Sequence, residues 1–442
     1  MMKPIIEKNI YFFGNIETLL LAAVAFAIPF QINFGNITII VSVLYASLLL
    51  LYRKTSFSNF KSFYFLIPVI LFFIAFVSAI TSKDIGEGMH QLEKLLLMVL
   101  IPLIISTFHA RNINFFKVFC LFSSGITLAT LILLAINLSK LISGAPYEEL
   151  FFFEFTKIYD QHPVYYSTNI VLSIFFVVDN FIVNNSKYKN LKIVYPVTLI
   201  HLLGLMFCAS KAVIICFFAL LILYIIIIKK EVSKKILLLT FSVISIGILS
   251  IIFNPFIKER FKEGLTYDSI KFKPTTDLLK SKKFTYEEKF NISDIELRII
   301  FFKIGAYHTI KDGRILFGYR LGDVQHYLDY YYMTYNLAPN WFEGHNLHNQ
   351  YLQYFITYGI FGYLFFISYI FYSLYISFKK RNVLHLLFIL MILFVFIFEV
   401  YLARNKGIVF FFFFNSIFLI YNKQDENRNF RHSRNTKSSR WL

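Results

Sequence analysis

"KAVIICFFALLILYIIIIKK", residues 211–230, decides which solvent the chain lives in. Between Lys211 and Lys229 no residue is charged and nearly all are apolar. As a helix rising about 1.5 Å per residue, such a run reaches most of the way across a hydrocarbon layer roughly 30 Å thick. Comparable runs recur along most of the chain. Of the 442 residues 57% are hydrophobic and only 16% charged, and the mean hydropathy is +0.62, so the composition predicts an all-α, polytopic integral membrane protein. The formal charge of +18 does not point to nucleic acid, because Lys and Arg stand in small groups between apolar segments instead of on one polar domain.

Outward from that stretch, apolar segments of helical length fall at about 16–33, 35–52, 62–81, 92–108, 115–138, 164–184, 191–209, 212–228, 235–253, 350–378, 383–402 and 408–421. In this arrangement of about twelve transmembrane helices, alternate connections are basic. Lys3 and Lys8, Arg53, Lys54 and Lys61, Arg111 and Lys117, Lys187 to Lys192, Lys229 to Lys235, Lys379 to Arg381 and the tail from Lys423 all fall on one side. The positive-inside rule makes that side the cytoplasm, with both termini in it. No cleavable signal peptide is evident at the start. Cys120, Cys208 and Cys216 lie in apolar segments without metal-ligand spacing and read as small packing residues.

One connection is far larger than the others. Four parts follow: residues 1–253 with nine membrane helices, a large extracytoplasmic loop at 254–349, the last three helices at 350–421, and a basic cytoplasmic tail at 422–442, expected to be disordered or to lie on anionic headgroups. The loop mixes charge with many aromatic residues and is long enough to fold over the membrane surface. Within it Glu296 to Ile310 reads as a helix carrying Leu297, Ile300, Phe301 and Ile304 on one side, a face suited to the headgroup zone. The tyrosines of the loop suit sugar stacking and an interfacial aromatic belt equally.

At the end of that loop stands "HNLHNQYLQYFITYGIFG" (345–362), where imidazoles and amides head an apolar run. Gly359 and Gly362 suit close helix packing, and His348 alone reads as a helix-start residue or as a functional group. The string resembles the signature of the bacterial O-antigen ligase and O-antigen polymerase superfamily: a His, then Asn, Leu four residues after the His and glycines eleven and fourteen after it, here His348, Asn349, Leu352, Gly359 and Gly362. Upstream, "RIIFFKIGAYHTIKDGRILFGYRLGD" is similar to the family's Arg-led amphipathic segment and glycine turn, with Arg298, Gly318, Gly322 and Asp323 in place. "QHPVYYS" (161–167) resembles a His-Pro-x-Tyr element of some branches. "CASKA" (208–212) stands where relatives often carry Ser-Arg, and Lys211 there keeps the charge but loses the bidentate fork.

The resemblance implies a GT-C-like glycosyltransferase architecture, with a periplasmic loop between helices 9 and 10, in a bacterial inner membrane. It implies transfer of a glycan from an undecaprenyl-diphosphate-linked donor to an acceptor hydroxyl, on lipid A-core or on a growing glycan, without metal or cofactor. Diphosphate is already a good leaving group and needs charge stabilisation more than a proton, which cationic side chains supply. Lys211, Arg298 and Arg404 are the candidates for the donor diphosphate. For Lys211, the only charged residue between Lys192 and Lys229, and for Arg404 an interface anchor is the other reading; for Lys406 the anchor is preferred. His348 is the candidate catalytic residue, since a neutral imidazole near neutral pH can take the proton of an attacking hydroxyl, typically worth about 10²–10⁴-fold. His345 is a backup, and Asn349, His162 and Tyr166 are supporting residues. No nucleic-acid partner is expected.

Two other functions compete. A transporter or flippase for lipid-linked oligosaccharide or a small solute would use ionisable residues near the midplane, for which Asp179, His201 and Glu399 are the main positions. A protein O-oligosaccharyltransferase shares the signature and differs only in its acceptor.

Overall fold

The computed structural model describes residues 16–52, 59–109, 113–183, 191–228, 254–263, 272–277 and 279–438. Its main helices are α1 (Ile16–Ala27), α2 (Ile32–Leu51), α3 (Phe63–Ile80), α4 (Ile85–Leu95), α5 (Leu97–Thr107), α6 (Phe115–Ile142), α7 (Pro163–Val177), α8 (Leu191–Cys208), α9 (Lys211–Ile228), α10 (Pro255–Glu263), α11 (Tyr286–Asn291), α12 (Asp294–Lys311), α13 (Val324–Thr334), α14 (Gln350–Lys379), α15 (Val383–Phe398) and α16 (Asn405–Ser438). There is no β-strand among the described residues. Seven of the described segments are long and apolar enough to cross a membrane, with α4 and α5 joined as one; this is a multi-pass membrane protein. The expected span at 235–253 lies outside the described residues.

The order of the bundle follows from which helices are apolar all round. In α16 the run Phe410 to Phe414 is at most 1% exposed at every position, so this helix is enclosed by its neighbours on every side. At the rim, Ile37, Ile40, Leu44, Leu48 and Leu51 of α2 are left uncovered and form a lipid-facing stripe. Beyond the last apolar turn, in the tail expected to be disordered or to lie on anionic headgroups, the backbone of α16 continues as a helix to Ser438, carried on from an already nucleated span.

Residues 272–347 build a second hydrophobic core. Capping boxes at Thr285 and Ser293 start α11 and α12. Ile300, Phe301 and Ile304 are buried against Phe272, Phe284, Tyr332 and Leu347, and Leu297 packs on the same cluster. These four residues were expected in the headgroup zone. An apolar stripe of that width suits protein as well as lipid, and Tyr332, stacked on Phe301 at 4.5 Å, supplies the protein partner. The unit is clamped to the bundle at the end of α3. The Asp323 carboxylate accepts from the Lys83 and Asp84 N–H groups at 2.8 and 3.0 Å. The hydroxyls of Ser78 and Ser82 accept from the Leu321 and Gly322 N–H groups, each at 2.9 Å.

Helix α14 departs most from expectation. It is broken at Gly359, with φ 69° and ψ −168°, a backbone conformation essentially restricted to glycine. The segment 315–320 enters the break. Tyr319 and Arg320 N–H donate to the Ile356 and Thr357 carbonyls at 2.7 and 3.0 Å, and Ile360 N–H donates to the Ile315 carbonyl at 2.8 Å, so the backbone groups freed by the break are satisfied. Tyr354 stacks on Phe366 at 4.1 Å, although twelve residues of straight helix would span about 18 Å. Residues 350–358 therefore fold back over the head of a straight run at 360–379, and the two glycines do not share one continuous helix.

Candidate functional site

The site is assembled where four helix ends and one turn meet. His348 is held just before α14 with φ 48°, a left-handed conformation unusual outside glycine and enriched at functional sites. Its neighbours hold it there. The Asn346 side-chain oxygen accepts from the His348 N–H at 2.9 Å. Asn349 caps α14 by accepting from the Leu352 N–H at 2.9 Å, and its amide donates to the Ile397 carbonyl at 3.1 Å. Phe301 lies parallel to the His348 ring, 6.4 Å away.

Opposite His348 stands Glu399, the residue that ends α15. Its carboxylate lies 3.7 Å from His348 Nδ1, with the His348 side chain 26% and the Glu399 side chain 12% exposed. That separation suits an ion pair when the imidazole is protonated and is longer than a hydrogen bond. Burial pushes the Glu399 carboxyl up, and the neighbouring His348 imidazole, with His162 and Arg298, outweighs that push and holds it below the ordinary carboxylate range. A carboxylate facing Nδ1 favours the tautomer protonated there and leaves Nε2 as the basic nitrogen.

The turn after Glu399 is fixed by Gln350, whose Oε1 accepts from the buried Leu402 N–H at 2.7 Å. It is also fixed by Tyr401, stacked on Tyr165 at 4.5 Å and bonded through its hydroxyl to Thr168 at 2.7 Å.

Four of the candidate residues converge on Glu399 or its neighbour. His348 faces it at 3.7 Å, His162 and Arg298 lie within electrostatic reach of it, and the His345 ring is 6.1 Å from that of His348. His162 caps α7, its Nδ1 accepting from the Val164 N–H at 3.2 Å. Arg298, one turn into α12, donates to the Asp294 carbonyl at 3.1 Å. Lys211, the first residue of α9, forms an ion pair with the Asp294 carboxylate at 3.1 Å, so it ties the helix that carries Arg298 to the bundle. Arg404 is exposed on the turn, and Tyr165 lies within electrostatic reach of both Arg404 and Glu399. Lys406 points away and donates to the carbonyls of Ile28 and Phe30 at the end of α1.

Other candidates lie elsewhere. Tyr166 is buried inside the bundle, its hydroxyl 2.9 Å from Thr130 Oγ1; its neighbour Tyr165 is the ring that faces the site. Gly359 and Gly362 lie beyond the fold-back. A methyl at Gly359 would sit 2.1 Å from the Leu316 carbonyl oxygen, and one at Gly362 would crowd Tyr358 and touch Ile74 of α3.

Glu399 is the main residue the sequence reading misplaced. It was weighed as a midplane position in a transporter, and the structure sets it at the end of a helix beside His348. The available signal was an acidic residue closing an apolar helix of sixteen residues, five positions before Arg404. Of the other two midplane positions, Asp179 accepts from the Tyr224 hydroxyl at 3.0 Å, and His201 Nε2 is 3.0 Å from Thr127 Oγ1.

Residues 196–367 match the family model described as O-Antigen ligase. That stretch contains Lys211, Arg298, His345, His348, Asn349, Gly359 and Gly362, while His162, Glu399 and Arg404 lie outside it. No curated protein matches the chain.

Proposed function

Taking as premise that residues 196–367, which carry Lys211, Arg298 and His348, belong to the O-antigen ligase superfamily, we propose that this protein transfers a glycan from a lipid-diphosphate-linked donor to an acceptor hydroxyl. The match supports a role in surface-glycan ligation or polymerisation. The observation that carries the chemistry is the pairing of His348 with Glu399 beside Arg298. An acceptor hydroxyl oxygen attacks the anomeric carbon. The C1–O bond to the diphosphate breaks with its electron pair leaving on the diphosphate, and the hydroxyl proton passes to His348 Nε2 and then to water. Configuration at C1 inverts. Glu399 holds the Nδ1–H side of the imidazole and stabilises the imidazolium, and Arg298, together with Arg404 and Lys211, meets the diphosphate charge.

In this reading the donor is undecaprenyl-diphosphate glycan in the periplasmic leaflet of an inner membrane, both termini are cytoplasmic, and no metal takes part. About twelve spans complete the bundle, and the connection before α14 lies on the periplasmic side. Ligase, polymerase and protein-glycosylating enzymes share this chemistry and differ in acceptor. A deletion strain separates them. Loss of chain length with single repeats retained means polymerase, and lipid-linked glycan accumulating with all attached chains lost means ligase. The chemical step is tested by incubating purified protein with lipid-linked donor and acceptor in EDTA. Equal amounts of new glycoside and free lipid diphosphate are expected, and an EDTA-sensitive reaction, or none with any hydroxyl acceptor, contradicts the proposal.

A further inference from the structure

The segment that delivers His348, together with Tyr286 of α11, carries a row of rings that the proposed transfer step through His348 does not use. From the surface inward, Tyr286 meets Trp341 edge-on at 5.3 Å. Trp341 is 6.1 Å from Phe342, Phe342 is 5.8 Å from His345, and His345 is 6.1 Å from His348. Tyr286 is 72% exposed, and Trp341, Phe342 and His345 are half-buried, so the row opens to solvent at one end and closes on the proposed base at the other. The backbone beneath it is held by polar bonds. Asp329 Oδ1 accepts from the Gly344 N–H at 2.9 Å, and Gln325 donates to the His345 carbonyl at 3.3 Å. Lys289 Nζ sits 5.5 Å from the centre of the Trp341 ring, a cation–π contact that fixes the indole.

We propose that Tyr286, Trp341, Phe342 and His345 form a track of subsites for a glycan chain leading to His348. Three observations favour a sugar chain over a lipid tail. Tyr286, Trp341 and His345 each carry a hydrogen-bonding group on the ring, and Lys289 stands beside the Trp341 ring. Pyranose rings present C–H faces to aromatic rings and hydroxyls to polar edges, the two kinds of surface that Tyr, Trp and His combine. Each step of the row is comparable to the length of one pyranose unit, and the row ends at the imidazole to which a sugar hydroxyl is to be presented. The inference rests on the proposed transfer and adds where the sugar chain lies.

The test uses the full-length chain in nanodiscs. Tryptophan occurs twice in the sequence, at Trp341 and Trp441, so Trp441→Phe leaves Trp341 as the sole reporter. The probe is the oligosaccharide released by mild acid from the lipid-linked donor pool. A saturable change in Trp341 emission is expected, and it persists in His348→Ala protein, which is expected not to transfer. Trp341→Ala is expected to raise KM for a glycan substrate about tenfold with kcat nearly unchanged, the signature of lost binding, and Trp341→Phe to restore most of it. A KM effect on the donor puts the donor chain on the track, and one on the acceptor puts the acceptor there. Absence of any saturable response together with unchanged KM for both substrates overturns the proposal, as does quenching of Trp341 by spin-labelled lipid tails. Transfer by His348→Ala protein would instead overturn the proposed chemistry and leave the binding result standing.

Discussion

His348 combines a left-handed backbone, a carboxylate at Nδ1 and two flanking asparagines that fix both. None of these is written in the four-residue spacing of the signature. The spacing marks the residue, and the fold supplies its partner from 51 positions further along the chain. Outer partners of metal-bound histidines commonly contribute about 10- to 100-fold, and by analogy Glu399→Gln is expected to lower kcat by that order with KM for the donor little changed. Unchanged kcat in single-turnover assays would remove Glu399 from the mechanism. Gly359 makes a separate point. At φ 69° and ψ −168°, and with a Cβ placed 2.1 Å from a carbonyl oxygen, Gly359→Ala is expected to cost about 1–3 kcal/mol or more and to lower the melting temperature in detergent. Gly35→Ala, inside α2 where a methyl meets open space, is expected not to lower it.

At the scale of elements, α12 is the piece on which the site depends. It carries Arg298 and Phe301 toward His348, and it is tied to α9 by the Lys211–Asp294 pair. If Lys211 acts by holding this helix, Asp294→Asn and Lys211→Ala lower transfer alike, and the double variant is no worse than either. If Lys211 meets the diphosphate directly, Asp294→Asn stays active, Lys211→Ala loses most activity and Lys211→Arg keeps it.

The same helix has a titratable residue in its core. Burial pushes the His308 imidazole down to about 4, against a smaller upward pull from Asp312, and the ring stacks on Tyr331 at 3.6 Å. A folded pKa below the unfolded value of about 6.5 means that the unfolded chain binds more protons between them. The loop unit is therefore expected to hold its full stability above about pH 6.5 and to lose part of it as pH falls toward 4. Hydrogen exchange across α12 and α13 checks this, and a protection pattern equal at pH 7.5 and 5 contradicts it. These elements were only partly legible in the sequence. The apolar stripe of α12 was readable from spacing, but Tyr332, the ring that covers it, comes from a helix 13 residues beyond its end, and spacing alone does not separate a protein partner from a lipid one. The break in α14 escaped because glycine in an apolar helix signals close packing as readily as a turn.

At the scale of the molecule, the bundle was legible because hydrophobic length and polar punctuation are local properties. The grouping of chemistry at one end of it was legible only where the signature covered it. His348, Arg298 and Lys211 were named from that resemblance, whereas Glu399, Gln350 and Tyr401 required the return of α15 to the head of α14. The whole arrangement sets His348 against Glu399 where the ends of α14 and α15 meet, which is where the proposed function puts the base and its carboxylate. The most direct test is transfer by purified His348→Ala protein in nanodiscs, with lipid-diphosphate glycan and acceptor, read by mass spectrometry of the products. The variant is expected to insert and melt like the parent while forming no glycoside. Normal product from it would contradict the central claim.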